Sequence, residues 1–515
     1  MTDIIATMVA QAHSATLIGI DALPVVVEVD LRNKPQDNSS NFQMVGLPDQ
    51  AVGESRVRVR SAIANSQLEF PNNLIICNLA PGDLKKEGPA LDLPIAVAIL
   101  AAAGQVPFSE LQNTLIFGEL SLEGRVRPVD GAVSVALMGA EKGFKRLILP
   151  KESAAEAAVA PGIDVYGVNT LVDVMHLLNG ADGFHPVQFE DKASEHYDDY
   201  TIDFNDVKGQ RQAIRALEIA AAGGHNVLMV GPPGSGKTML ARRLPTILPP
   251  LSLEESIEVT RIYSASGQKR GKQGLIWERP FRSPHHSASY AAVVGGGNNP
   301  KPGEVSMSHK GVLFMDEMPE FDRKVLESLR QPLEDGVVTV ARVNASMTFP
   351  AESILVGAMN PCPCGFKGLP EQKCVSSPAY CERYASKISG PLLDRIDIQI
   401  DVPRLKPEDL LGATPGECSE AIRERVMRAR SVQTKRLGPA KVNAKMSPRQ
   451  IRDLVPLDHE CSEFMKLAMR RMNISGRVFD RIVKVARTIA DLDGSERVAK
   501  KHLSEAVQYR ERASI

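Results

Sequence analysis

Eight consecutive residues carry the clearest chemistry in the chain: Gly231–Pro232–Pro233–Gly234–Ser235–Gly236–Lys237–Thr238, the pattern G-x-x-x-x-G-K-[ST]. The apolar run Val227–Leu228–Met229–Val230 before them reads as a buried strand, and Met239–Leu240–Ala241 after them as a helix. Strand, glycine-rich loop and helix in that order make a phosphate cradle. The glycines allow backbone angles that turn successive N–H groups inward. The helix N-terminus adds partial positive charge beneath them. Lys237 would reach the outer phosphates and Thr238 would hold Mg²⁺, so ATP with magnesium is the expected ligand.

Hydrolysis needs acids and a means of meeting the γ-phosphate. Val312–Leu313–Phe314–Met315–Asp316–Glu317 is an apolar strand ending in two carboxylates, roughly eighty residues beyond the phosphate loop. Asp316 is placed to bind Mg²⁺ and Glu317 to polarise the attacking water. Ile354 to Met359 is a second apolar strand, and Asn360 at its end would orient that water. In Leu392–Leu393–Asp394–Arg395–Ile396–Asp397, Arg395 is a candidate arginine finger for a neighbouring subunit. A trans arginine is worth about 10³–10⁵ in rate; the alternative is a local ion pair with Asp394 or Asp397. Arg477, in Ser475–Gly476–Arg477, opens a helix and would contact the γ-phosphate from a lid.

Cys362, Cys364, Cys374 and Cys381 cluster in the sequence. Four thiolates in a reducing compartment suit tetrahedral Zn²⁺. Lying between Asn360 and Arg395, such a zinc would be structural. Cys77, Cys418 and Cys461 are isolated and read as packing residues. His285 and His286 are adjacent, and adjacent side chains diverge on a strand or helix, so no shared metal is expected of them and their role stays open.

The elements that must position these groups come from a chain of 515 residues, enough for roughly three domains. Charged residues at 24% and hydrophobic ones at 43% are ordinary globular usage. A net charge of −1 means that any nucleic-acid surface must come from segregated charge. Aromatics at 5%, with the single Trp277, argue against large stacking platforms. Seven cysteines in this length exclude a disulfide scaffold. No apolar run approaches the roughly 18 residues of a membrane span, and the N-terminus lacks a basic stretch followed by an apolar core. A soluble, cytoplasmic protein with no membrane partner is expected.

Residues 1–180 alternate strand patterns (Val25–Val29, Leu74–Cys77, Leu115–Gly118, Leu147–Leu149) with helical ones (Asp49–Ala64, Leu93–Ala103), as an α/β domain does. Residues 181–206 read as an acidic linker, with eight Asp/Glu and one Lys between 182 and 206. Residues 207–402 form the nucleotide-binding domain. Residues 403–415 read as a hinge, and 403–515 as a helical domain. Between 421 and 452 ten Lys/Arg face one acid, Glu424. Val478, Ile482, Val485 and Ile489 make an apolar helical stripe, and Met465, Met469 and Met472 repeat the spacing as core.

Over most of its length the first domain resembles the proteolytic domain of Lon-type proteases, through Lys86–Glu87–Gly88–Pro89–Ala90 and the stretch Gly118 to Gly131. The resemblance implies a nucleophilic Ser after Gly-Pro and a Lys near 133. Ala90 and Val133 stand there, and neither has the group required; the fold is expected with the peptidase chemistry absent. Phosphate loop, acidic strand, Asn360, Arg395 and Arg477 occur in the order of AAA+ ATPases. Arg279 to His286, Gly295–Gly296–Gly297, Pro302–Gly303–Glu304 and Ala486 to Leu492 narrow the resemblance to the magnesium-chelatase-like AAA+ family, over nearly the whole chain. That resemblance implies an α/β multidomain protein: an inactive Lon-protease-like domain, a P-loop core with a zinc-binding insert, and an α-helical lid. It implies a homo-hexameric ATP hydrolase and helicase that drives branch migration of DNA, single-stranded or branched, in homologous recombination during natural transformation, with recombination proteins as further partners. Helicase-like AAA+ proteins project inserts into the ring pore. Residues 251–276 and a β-hairpin around Arg342–Val343–Asn344–Ala345 fit that description. Lys269, Arg270, Lys272 and Arg342 are thus candidate DNA-phosphate contacts without sequence preference. The competing reading is a motor that remodels a protein partner, as magnesium chelatase does.

Overall fold

The computed structural model describes residues 9–33, 41–191, 201–268, 274–297, 300–342, 345–367, 374–405, 416–472 and 474–510. Lys269, Arg270 and Lys272, the side chain of Arg342, and most of the hinge expected at 403–415 lie outside the described residues. The chain divides into two compact units: Met1–Asp191 with Ser256–Ile276, and Lys192–Glu255 with Trp277–Ile515.

The first unit is built on a seven-stranded mixed sheet. Its strands lie in the order Phe42–Val45, Leu74–Ala80, Asp21–Arg32, Ala10–Ile18, Thr114–Ile116, Arg146–Pro150 and Asp164–Val168. Alternation explains the middle of it: Ala10 and Ala12 on one strand, and Val25, Val27 and Val29 on its antiparallel neighbour, are fully buried. The helix Asp92–Ala102 is buried on nearly every side, as its all-round apolar sequence requires. Its one charge, Asp92, is matched by Arg58 through bonds of 2.6 and 3.0 Å. Ala90 packs against an apolar cluster that contains Ala132 and Val135, and Val133 is buried. Hydrocarbon therefore fills the places where the Lon resemblance asks for a nucleophile and its base. The stretch 251–276, expected as an insert of the nucleotide-binding region, begins with the helix Leu253–Ser266 and from Ser256 onward belongs to this unit. Arg261 bonds Asp21 at 2.5 Å and the Ile20 carbonyl at 3.2 Å, and Ser264 accepts from the Gly131 N–H.

The second unit holds a five-stranded, wholly parallel sheet in the order Phe281–Arg282, Val312–Met315, Ile354–Met359, Val227–Val230, Ile398–Asp401. Three of these strands are the apolar runs of the sequence, buried at every position, as strands covered on both faces must be. The helices Arg211–Gly223 and Lys237–Ile247 and the C-terminal helices Ser419–Leu437, His459–Met472, Gly476–Leu492 and Lys500–Gln508 share one apolar core with the sheet. Ile482, Val485, Ile489 and Met465 lie in that core as their spacing predicts. The strands Val337–Arg342 and Ala345–Pro350 form the expected antiparallel hairpin, closing at the Arg342–Ala345 pair. Among the described residues no helix is long and apolar enough to cross a membrane.

Candidate nucleotide-hydrolysis site

Sheet order assembles the first half of the site. The strand leading to Asn360 lies between the phosphate-loop strand and the acidic strand, with Val230 opposite Met359 and Met315 opposite Gly357. Gly231, Asn360 and Asp316 therefore leave the sheet together at its carboxyl edge, where parallel sheets bind ligands. Gly231 tolerates no side chain, since a Cβ there would fall 2.2 Å from the Val402 carbonyl oxygen. Gly236, at φ +91°, caps the helix Lys237–Ile247. Lys237 is buried, and its ammonium donates to the carbonyls of Gly231 (2.7 Å) and Pro232 (3.0 Å), with Asn360 Oδ1 at 3.4 Å. Burial lowers its pKa against the opposing pull of Asp316 and Glu317. Exchanging neutral carbonyls for phosphate oxygens would convert these bonds into stronger charge-assisted ones.

Thr238 Oγ1 donates to Asp316 Oδ2 at 2.8 Å, so a hydroxyl and a carboxylate are already adjacent. These hard oxygen donors fit Mg²⁺, which takes one or two carboxylates and completes its shell with water and phosphate. Glu317 is exposed and held in the left-handed region at φ +49°, a conformation that costs a non-glycine residue about 1 kcal/mol or more and collects at functional sites. His286 Nδ1 stands 3.4 Å from Glu317 Oε2. The rings of His285 and His286 lie 4.1 Å apart at 33°, so the divergence expected of neighbours does not occur. The reason is local: residues 283–286 are neither strand nor helix.

Arg395 lies at the other end of the sheet. Its carbonyl accepts from Asn226 Nδ2 and from Arg481 Nη1, each at 3.2 Å, and Asn226 precedes the strand whose far end is Val230. Four residues of strand span about 13 Å at ~3.3 Å each. The guanidinium is buried and paired with Glu334, with Nη1 on the Pro391 carbonyl at 2.7 Å. The local partner is thus neither Asp394 nor Asp397, the two that sequence offered. Asp397 instead receives Arg481 at 2.5 Å and His225 at 3.2 Å. Burial works to raise its pKa, and Arg481 and His225 overcome it and hold the carboxyl well below the usual range. Arg477 is exposed on the helix Gly476–Leu492 and helps Arg395 and Arg481 to lower the pKa of Glu334. It belongs to this amino-edge cluster, and among the described residues no contact brings it to the phosphate loop of its own chain.

The four cysteines of the insert converge as expected. Sulfur–sulfur distances are 3.3 Å for Cys362–Cys364, 3.5 Å for Cys364–Cys374, and 3.7 Å for Cys362–Cys374 and Cys374–Cys381. Four thiolates around one tetrahedral ion stand about 3.8 Å apart; Cys362, Cys374 and Cys381 lie close enough together to hold one ion, with Cys364 beside Cys362 and Cys374. The Phe366 N–H brings the Cys364 thiol down to about 6, while burial pushes Cys362 up. The cluster abuts the nucleotide site twice. Gly365 packs on Pro233 of the phosphate loop. Tyr384, its phenol raised to about 12 by burial, meets the backbone of Asn360. Of the isolated cysteines Cys77 and Cys461 are buried, and Cys418 is exposed, so packing does not explain it.

Three family models match in series: magnesium chelatase, subunit ChlI, over residues 203–410; subunit ChlI of Mg-chelatase over 27–153; and the ChlI C-terminal region over 416–510. The competence protein ComM of Haemophilus influenzae is 43% identical over 509 residues, 97% of each chain. The chain belongs to the magnesium-chelatase-like family of the ComM and YifB proteins. YifB of Salmonella typhimurium is likewise 43% identical over 507 residues and 97% of each chain. Similarity to Lon proteases is partial: Lon protease 1 of Thermus thermophilus is 32% identical over 102 residues, 19% of this chain and 13% of that one. Sequence reading missed three residues of the site. His286 was noticed without a role, Gly365 offered only turn chemistry between the cysteines, and Glu334 carried no signal at all.

Proposed function

We propose that this protein is an ATP-driven DNA motor that works as a closed ring, a hexamer by family resemblance, and promotes branch migration in homologous recombination during uptake of DNA by competent cells. One observation carries the reading: the phosphate loop with its acids occupies the carboxyl edge of the parallel sheet, and Arg395 occupies the amino edge. One chain cannot bring its own arginine to its own γ-phosphate, so a complete site needs a second copy. Within it Lys237 would neutralise the outer phosphates, Glu317 would take the proton of a water oriented by Asn360, and the neighbour's Arg395 would stabilise the charge that develops in transfer. Mg²⁺, held by Thr238 and Asp316, would supply charge neutralisation across the phosphate oxygens. Cys362, Cys364, Cys374 and Cys381 would hold Zn²⁺ structurally, bracing Pro233 and Asn360. The Lon-like domain would serve as scaffold, the C-terminal helices as lid, and Lys269, Arg270, Lys272 and Arg342 as contacts to DNA phosphates. The name of the Haemophilus relative supports the competence setting.

The test mixes two inactive variants. Lys237→Ala subunits lack the cradle and Arg395→Ala subunits lack the finger, yet in a randomly mixed ring about one interface in four combines an intact loop with an intact arginine. ATP hydrolysis should return on mixing, rise with single-stranded or branched DNA, and accompany migration of a four-way junction. Mixed rings that stay inactive would refute the shared site; hydrolysis indifferent to every DNA would refute the substrate. The three ChlI matches favour a second reading, remodelling of a protein partner. Capture of a metal-handling protein by a chain with no affinity for DNA would support it.

A further inference from the structure

We infer that Glu334 is the latch that keeps the trans arginine out of use, and that the β-hairpin Val337–Pro350 works the latch. The inference rests on the composite site proposed above and adds what regulates it.

Arg395 is in storage. Its side chain is 9% exposed, its guanidinium is bound to Glu334 and to the Pro391 carbonyl, and its buried Nε has no acceptor among the described residues. A buried donor left unsatisfied carries a free-energy cost. A γ-phosphate presents several acceptor oxygens at once and would be a better partner. The backbone of Arg395 is fixed by Asn226 and Arg481, so release requires the side chain alone to swing.

Glu334 is built to let go. Its carboxylate is 53% exposed, so water can replace the arginine without a charge being stranded in the interior. The bond to Arg395 lowers its pKa most, and Arg477 and Arg481 act in the same direction, so positive charge stays beside it after the arginine leaves. Its position in the chain supplies the control. Glu334 lies in the short helix Arg330–Asp335, which Gly336 ends at φ +69° and which passes directly into the hairpin strand Val337–Arg342. A solvent-open surface pocket of about 360 Å³ lies against the joint, lined by Arg330, Gln331 and Pro332 of the helix, Val338 and Thr339 of the strand, and the exposed Tyr290 opposite. On this side the helix and hairpin face solvent rather than packed side chains, which leaves room for them to pivot together. A nucleic-acid strand that displaces the hairpin would draw Glu334 away and free Arg395 for the adjoining subunit.

The experiment uses full-length Glu334→Gln, with ATP turnover measured with and without single-stranded DNA. The DNA-free rate should rise by at least about fivefold, the lower end of ordinary coupling between sites. The DNA-stimulated rate and the KM for ATP should stay put, so the stimulation ratio collapses. A merely structural role for Glu334 would lower both rates together. Arg395→Ala keeps the two levels of argument apart. If Arg395→Ala is inactive and Glu334→Gln shows the wild-type DNA-free rate or a lower one, the latch is wrong and the composite site stands. If Arg395→Ala turns over normally, the composite site is wrong and the latch falls with it. Should Glu334→Gln not fold, Glu334→Asp, too short to keep the same bond, should move the DNA-free rate in the same direction. A mixture of doubly substituted Lys237→Ala, Glu334→Gln subunits with Arg395→Ala subunits should outpace the Lys237→Ala mixture without DNA, because the latch acts in the subunit that donates the arginine.

Discussion

The cysteine cluster meets the phosphate loop at Gly365, and adding a single methyl group there tests whether the contact matters. Gly365 has φ +82°, and a Cβ on it would fall 2.5 Å from Cδ and 2.8 Å from Cγ of Pro233, atoms of a stiff ring. Gly365→Ala therefore meets two costs. The left-handed backbone opposes a side chain by about 1–2 kcal/mol, and overpacking of a fitted contact costs about 1–3 kcal/mol. The turn cannot simply retreat, because the Gly365 N–H is bonded to the Cys362 carbonyl at 2.9 Å and the thiols on either side converge. Pro233 must yield in part, and with it the loop carbonyls that hold Lys237. If about half of the combined cost appears in nucleotide binding, roughly 1–2 kcal/mol is lost and the Kd for ATP rises about 5- to 30-fold. The assay is titration of a fluorescent ATP analogue into wild type and Gly365→Ala, with metal content and melting temperature measured on the same samples. Affinity within twofold of wild type, at unchanged metal content and melting temperature, would mean that the cluster does not brace the loop.

Three further outcomes follow from the same geometry. Glu317→Gln should bind ATP as wild type does and lose about 10²–10⁴ in kcat, the usual contribution of a general base, as seen by single-turnover hydrolysis with bound ATP trapped. Asp397→Ala removes the buried partner of the half-buried Arg481 and the buried His225 and should cost about 3–5 kcal/mol in denaturant unfolding. Because the folded pKa of Asp397 is depressed, its stabilisation is present above the unfolded value of about 3.9 and is lost as pH falls through the folded one; the gap between variant and wild type should hold from pH 8 to 5 and close only in stronger acid. Cys381→Ser should lower the metal bound per chain and lower kcat more than it weakens ATP affinity, because the cluster reaches Asn360 through Tyr384 as well as the loop through Gly365; an unchanged kcat in metal-free protein would remove the structural role.

How much of this was legible in the sequence depends on the range of the interaction concerned. The phosphate loop, the acids and Asn360 were readable because each ends an apolar run long enough to be a buried strand, and a parallel sheet sends such ends to one edge. The cysteines were readable because thiols close in sequence converge within one short insert. Glu334 was silent: it meets Arg395 across 61 residues, and a lone acid before a hairpin looks like any other. The stretch 251–276 reads in sequence as an insert of the nucleotide-binding region because it leaves and re-enters it; from Ser256 onward it groups with the first unit, where Arg261 pairs with Asp21 and Ser264 with Gly131, contacts that a linear reading does not offer. The strand Ala10–Ile18 escaped notice because alanines and small polar residues, rather than branched apolar ones, fill its buried face.

Sheet polarity links these points. In a parallel sheet every strand ends at one edge, so loop, acids and Asn360 gather there without any special device. Every strand begins at the other edge, and that is where Asn226, His225, Arg395 and Asp397 gather. On the proposed reading the hydrolytic machinery would thereby be split along the strand direction, and two copies would complete a site only when the amino edge of one faced the carboxyl edge of the next. A single head-to-tail contact leaves one loop without an arginine and one arginine without a loop; closure of the chain of copies removes both defects. The pairing of Arg395 with Glu334 matters in this light: if the proposed ring is right, a subunit outside it would keep its arginine folded onto its own Glu334, and turnover would wait for both assembly and substrate.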